Sequence, residues 1–198
     1  MKKVLLLFFG LLVLAFAFLG FLPPEAAAPL PQSQAADVAT VMNADPTPPL
    51  PPNTHSVLKV IDGDTISIIK EGRPVTLRLI GLDTPETVDP RRPVQCFGKA
   101  ASDKAKGLLA GKTVLLEFDA TQGMYDKYGR TLAYIFLSDG TLFNRYMIAE
   151  GYGHEYTYNL PYKYQNEFKE AERRAREEKK GLWADGTCAG DTKKAAAS

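Results

Sequence analysis

Residues 54–188 predict an α+β fold dominated by a small closed β barrel of five strands, with about three helices packed outside it. Two observations carry this expectation. The order of elements is three short strands, a helix, two more strands and two helices. Five strands also leave unpaired edges unless the sheet curls onto itself. The segment has the usual size of one globular domain, enough to bury a core without help.

The strands are read from short β-branched or alternating runs. Residues 57–61, 65–69 and 75–80 are such runs, separated by Asp62-Gly63 and Glu71-Gly72, which predicts an antiparallel meander. Residues 113–118 and 131–137 supply two more. Between them, 97–109 spaces Phe97, Ala101, Ala105, Leu108 and Leu109 along one helical face and stops at Gly111. Residues 142–150 predict a short helix ended by Gly151. A longer one over 164–180 carries Tyr164, Phe168, Ala171 and Ala175 as a stripe and ends at Gly181.

Ahead of the barrel, residues 4–22 are free of charge and follow Lys2 and Lys3, as in a signal peptide or an N-terminal membrane anchor. The run is long for a signal, and Pro29 after Ala26-Ala27-Ala28 is a poor cleavage context, so both readings stay open. Either way the chain is expected outside the cytoplasm, secreted or at the outer face of the cytoplasmic membrane. Residues 23–53 are rich in Pro and Ala and read as an extended linker; 189–198 read as a disordered tail.

A formal net charge of +1 gives no broad basic footprint, so any contact with nucleic acid must be local. Arg91, Arg92, Lys104, Lys106 and Lys127 are available for it. The two cysteines, Cys96 and Cys188, are too far apart for a CxxC zinc or redox motif. Their even number in an exported chain favours one disulfide over two free thiols. In the chain-entropy model a bridge over such a loop stabilises by roughly 4 to 5 kcal/mol.

Acids and arginines cluster at the strand ends. Asp64 has the parity of Ile66 and Ile68, so it falls on the core side at the barrel's mouth, where a carboxylate needs a cation or an arginine. Arg78 lies mid-strand and leads directly to Asp83-Thr84-Pro85-Glu86, whose proline biases Thr84 to an extended backbone. Two aspartates and the Thr84 carbonyl are hard oxygen donors of the kind Ca²⁺ takes; zinc is disfavoured, because His55 and His154 stand alone. A metal on a phosphoryl oxygen, Glu86 as the base for water, and Arg78 with Arg130 on the transition-state charge make a phosphodiester-cleaving set.

The segments IDGDT (61–65), LRLIGLDTPE (77–86), FGKAAS (97–102), DKYGRTLAYI (126–135) and GLW (181–183) together resemble the staphylococcal nuclease (thermonuclease) family over residues 54–188. The resemblance implies a five-stranded OB-fold barrel and Ca²⁺-dependent hydrolysis of DNA and RNA with little base specificity, leaving 3′-phosphates. It implies Asp64, Asp83 and the Thr84 carbonyl as calcium ligands, Glu86 as base, and Arg78 and Arg130 as transition-state partners. Lys127 and Tyr128 would hold a neighbouring phosphate, and Tyr156 and Tyr158 would line the nucleotide site, which suits single-stranded or frayed substrate. The expected protein is a monomer. Arg91-Arg92, the segment 119–125 and the cysteine pair depart from the family prototype, which leaves substrate preference open. The rival expectation is a non-catalytic OB-fold module of the cell envelope that binds nucleic acid or protein; retention of all five acidic and arginine positions weighs against it.

Overall fold

In the computed structural model, residues 51–87 and 93–193 are described. The apolar segment 4–22, the linker up to residue 50, Arg91, Arg92 and residues 194–198 lie outside them. The first three strands are β1 (Thr54–Asp62), β2 (Thr65–Lys70) and β3 (Arg73–Leu79), and they pair antiparallel as the meander requires. After β4 (Leu82–Asp83) come α1 (Gly98–Leu109), β5 (Thr113–Glu117) and β6 (Thr131–Phe136). Then follow α2 (Phe143–Ala149), β7 (His154–Glu155), α3 (Gln165–Glu177) and a single 3₁₀ turn, Gly181–Trp183.

Strands β1-β2-β3-β6-β5 close into a barrel, β5 returning to pair with β1. Closure removes every open edge of the five. Ile66, Ile68 and Leu77 are fully buried inside it, with Leu79, Val114 and Ile135 beside them. Each such aliphatic side chain contributes about 1.5–3 kcal/mol by leaving water.

Local sequence did not reveal two features. The β3–β6 pairing is parallel, Arg78 standing opposite Leu132, and it is reached only after the crossover through α1 and β5. A second sheet, β4 with β7, pairs Leu82 with Glu155 and Asp83 with His154. Its strands are two residues long, too short for a periodicity to register. Phe97, expected inside the first helix, instead precedes α1 in the left-handed region at φ 67°, and its ring lies 5.6 Å from that of Tyr152.

Three fasteners hold the outer elements to the barrel. Buried Asn144 on α2 accepts the Ile135 N–H (3.1 Å) and donates to the Ile80 carbonyl (2.9 Å), satisfying two main-chain groups where β6 meets the end of β3. Asp119, after β5, accepts from Thr121, the Tyr134 hydroxyl (2.9 Å) and the Lys163 N–H (2.8 Å). Cys96 and Cys188 form a disulfide, as the residue count favoured, with their Cα atoms 5.9 Å apart. Past Cys188, where a tail was expected, the Ala189 and Gly190 N–H groups still donate to the carbonyls of Ala184 and Leu182.

Candidate active site

Register sets Arg78 within one residue of Asp64 across the β2–β3 pair, near enough for its long side chain to reach the acid. Thr65 on β2 is the direct partner of Arg78 on β3, and the Leu79 N–H donates to the Asp64 carbonyl at 2.9 Å. The Arg78 guanidinium therefore emerges beside Asp64. Its Nη1 is 3.0 Å from Asp64 Oδ2 and donates to the Leu82 carbonyl at 2.6 Å; its Nη2 donates to Asp83 Oδ1 at 2.8 Å. The arginine does not extend to water: 14% of its side chain is exposed, against 10% for Asp64 and 50% for Asp83. Asp64 Oδ2 also accepts the Thr84 N–H at 2.9 Å, which seats the Asp-Thr-Pro-Glu segment on the β1–β2 turn.

The second arginine arrives from a tight turn. Asp126 accepts from the backbone N–H groups of Tyr128 and Arg130, both at 2.9 Å, and Gly129 adopts φ 79°, which a β-carbon would resist. The same carboxylate grips the Arg130 side chain, Nε and Nη2 each at 2.6 Å, and so orients the fork. Arg130 Nη1 lies 3.5 Å from the Thr65 hydroxyl, which itself donates to Asp64 Oδ1 at 2.8 Å. One continuous path of contacts thus runs from Arg130 through Thr65 to Asp64, and from there through Arg78 to Asp83.

A cleft of about 640 Å³ opens beside this path, with Arg78, Asp83, Lys127, Tyr128, Arg130, Tyr156 and Tyr158 on its wall. The β4–β7 sheet explains why the tyrosines are there. It ties the Asp83 strand to residues 154–155, and the Tyr156 N–H donates to the Gly81 carbonyl at 3.1 Å. Lys127 Nζ lies 5.1 Å from the Tyr128 ring centroid and 5.9 Å from that of Tyr158; the Tyr156 and Tyr158 rings are 6.3 Å apart. Asp64, Thr84 and Glu86 are not part of that wall. Asp64 joins the site through Arg78, Thr84 through Asp64, and Glu86 by its place two residues beyond Thr84.

A family model described as staphylococcal nuclease homologue matches residues 76–185. The chain is 45% identical over 132 residues to the thermonuclease of Staphylococcus hyicus, an alignment spanning 67% of this chain and 76% of that protein. It is 44% identical over 130 residues to the thermonuclease of Staphylococcus intermedius, again spanning 76% of the relative and 66% of this chain. This chain belongs to the staphylococcal nuclease family. It is also 38% identical over 127 residues to endonuclease YncB of Bacillus subtilis, covering 64% of this chain and 59% of that one.

In this member of the nuclease family, the charge balance at the rim tests whether a cation fits. The Arg78 guanidinium is shared by two carboxylates, Asp64 and Asp83, and a third acid, Asp62, lies near Asp64 without reaching the arginine. Burial, with Asp64 adding repulsion, pushes the Asp62 carboxyl up to about 6. Burial and then Asp64 also raise Asp83, against the pull of Arg78. Such crowding of desolvated acids is what a divalent ion relieves. The donors are all hard oxygens, and the Thr84 hydroxyl is buried with no hydrogen-bond partner among the described residues. No cluster of three or more His, Cys, Asp or Glu side chains among those residues closes on one point, so an ion here would rest on Asp64, Asp83, the Thr84 carbonyl and water.

Sequence reading missed Asp62, taken above only as part of a turn. It is buried, and its carboxylate holds the Thr87 hydroxyl at 2.9 Å and the Thr87 N–H at 3.2 Å, next to Glu86. The signal was present in its burial-favouring place at the end of β1, since an acid there has to find donors. Asp126 was missed as the group that aims Arg130, although an Asp opening a five-residue turn is a recognisable capping pattern.

Proposed function

We propose that this protein is a calcium-dependent nuclease that hydrolyses phosphodiester bonds of DNA and RNA with little sequence preference. We place it outside the cytoplasm, secreted or tethered by residues 4–22 at the outer face of the membrane, as a monomer. The observation that carries the reading is the unbroken line of contacts from Arg130 to Asp83, whose two arginines and Asp83 face one cleft.

Asp64, Asp83 and the Thr84 carbonyl would hold the calcium ion, which when bound offsets the charge of a phosphoryl oxygen. The remaining work falls to side chains. Arg78 and Arg130 offer forked N–H donors to the equatorial oxygens of pentacoordinate phosphorus, a geometry lysine does not reproduce. Glu86 takes a proton from the attacking water; the water oxygen bonds to phosphorus and the bond to the 5′-oxygen breaks. That oxygen leaves with a proton from solvent, giving a 3′-phosphate and a 5′-hydroxyl. Lys127 and Tyr128 hold the next phosphate. Tyr156 and Tyr158 stack on unpaired bases, each stacked base contributing about 1–3 kcal/mol, which favours single-stranded or frayed substrate.

Incubating the protein with plasmid DNA and with RNA, in calcium or in chelator, tests the reading. Both polymers are cut with calcium and neither with chelator. Glu86→Gln lowers the rate by roughly 10² to 10⁴ with its circular dichroism unchanged; a wild-type rate would exclude Glu86 as base. Strand binding without cleavage by the wild type would favour a non-catalytic OB-fold module instead.

A further inference from the structure

Glu86 is held in place by a residue that no motif marks. Gln95, nine positions further on, meets it at two points. The Gln95 side-chain oxygen accepts the Glu86 N–H at 2.7 Å, and the Gln95 N–H donates to the Glu86 carbonyl at 3.0 Å. Both polar main-chain groups of Glu86 are therefore taken up by one neighbour. On the other side, the Thr87 N–H donates both to Glu86 Oε1 at 2.9 Å and to Asp62 Oδ2 at 3.2 Å. The carboxylate of Glu86 is thus drawn toward a backbone that Asp62 anchors.

Gln95 is in turn fixed to the body of the protein. Its carbonyl accepts the Gly98 N–H at 3.0 Å, where α1 begins, and the adjacent Cys96 is bonded to Cys188. Gly98 is pressed against the same segment. A β-carbon there would lie 3.0 Å from the Pro85 carbonyl, 3.1 Å from that of Glu86 and 2.8 Å from Thr87 Cγ2. So close an approach leaves the Glu86 backbone little room to move away from Gln95.

We propose that Gln95 is a positioning residue that sets the height of the Glu86 carboxylate over the attacking water, and that the Cys96–Cys188 bridge and the packed start of α1 keep it in register. The inference rests on the reading of Glu86 as the base. Gln95 touches neither substrate nor metal in this scheme. It acts on kcat through geometry, since a displacement of about 1 Å in a reacting group costs up to roughly 100-fold.

Steady-state kinetics on single-stranded DNA in saturating calcium, for the full chain and four variants, decide the matter. Gln95→Ala lowers kcat by roughly 10- to 100-fold with KM within about twofold of wild type. Gln95→Glu keeps an acceptor oxygen for the Glu86 N–H and recovers kcat to within about fivefold of wild type. In the Glu86→Gln background, Gln95→Ala produces no further loss, because the group it positions is gone. A wild-type kcat in Gln95→Ala overturns the proposal, as does an equal loss in both backgrounds, which a merely structural residue would give. A wild-type kcat in Glu86→Gln alone removes the base reading itself, and the inference falls with it. Melting temperatures of all four, measured beside the kinetics, identify any variant whose loss is unfolding.

Discussion

At the acidic end of the site, Asp64 and Arg78 are largely buried and bonded to one another across the β2–β3 pair; at the aromatic end, Tyr128 is 72% and Tyr158 59% exposed. The acids are brought together by β-sheet register, by the main chain of Thr84 and by Asp62. The tyrosines and Lys127 touch one another, and Tyr128 also lies under the Arg130 guanidinium at 5.3 Å. The difference teaches how the work is divided. A fixed cluster of charge can stabilise a transition state without reorganising. Exposed rings can accept any base, since every base has a face to stack on.

The comparison breaks first at the arginines. Arg130→Ala removes a preorganised donor from the fixed end, and kcat/KM on DNA falls by roughly 10² to 10³. A loss under tenfold would mean that the Asp126 clamp aims Arg130 at nothing that reacts. Arg78→Lys sharpens the same point, because the bond to Asp83 or that to Asp64 must be given up.

At the exposed end the expected effect is smaller and of another kind. Tyr158→Ala weakens binding of a short oligonucleotide by about 1–3 kcal/mol and leaves kcat near wild type. If kcat fell as steeply as for Arg130→Ala, the two ends would not be separable.

Activity moves least on changing Asp119, which underlies the aromatic end by holding the Lys163 N–H and the Tyr134 hydroxyl. Burial alone would raise this carboxyl, but the N–H of Lys163 and the groups of Thr121 outweigh it and hold the group below the usual carboxylate range. A depressed folded pKa contributes stability that is present above the unfolded value, near 4, and lost as pH falls through the folded one. Asp119→Asn therefore costs about 1–3 kcal/mol at neutral pH. In urea titrations the gap between variant and wild type begins to close as pH falls below about 4 and disappears only below the folded value, and a constant gap down to about pH 2 would exclude the linkage.

The barrel strands were legible because alternation and Asp-Gly or Glu-Gly turns are local marks, and the helices because Ala101, Ala105 and Leu109 or Phe168, Ala171 and Ala175 repeat at helical spacing. Asp64 was legible from strand parity, and Arg78 from the short run of chain that leads it to Asp83. The parallel β3–β6 pair was not, because contact across a crossover leaves no periodic trace in either strand. Nor was Gln95, whose two bonds to Glu86 depend on a return of the chain that no residue type announces. Asn144 carries no mark in the sequence within the helix read over 142–150, yet it satisfies main-chain groups of two separate segments.

The cysteine bridge carries a consequence for the order in which the molecule can be finished. Its two ends are 92 residues apart, and Cys188 comes after every strand and helix, while Cys96 adjoins Gln95. During synthesis the barrel can close as soon as β6 emerges, but the covalent tether beside Gln95 waits for residue 188 and for an oxidising surrounding. A nascent chain in a reducing compartment would own the scissors before the rivet.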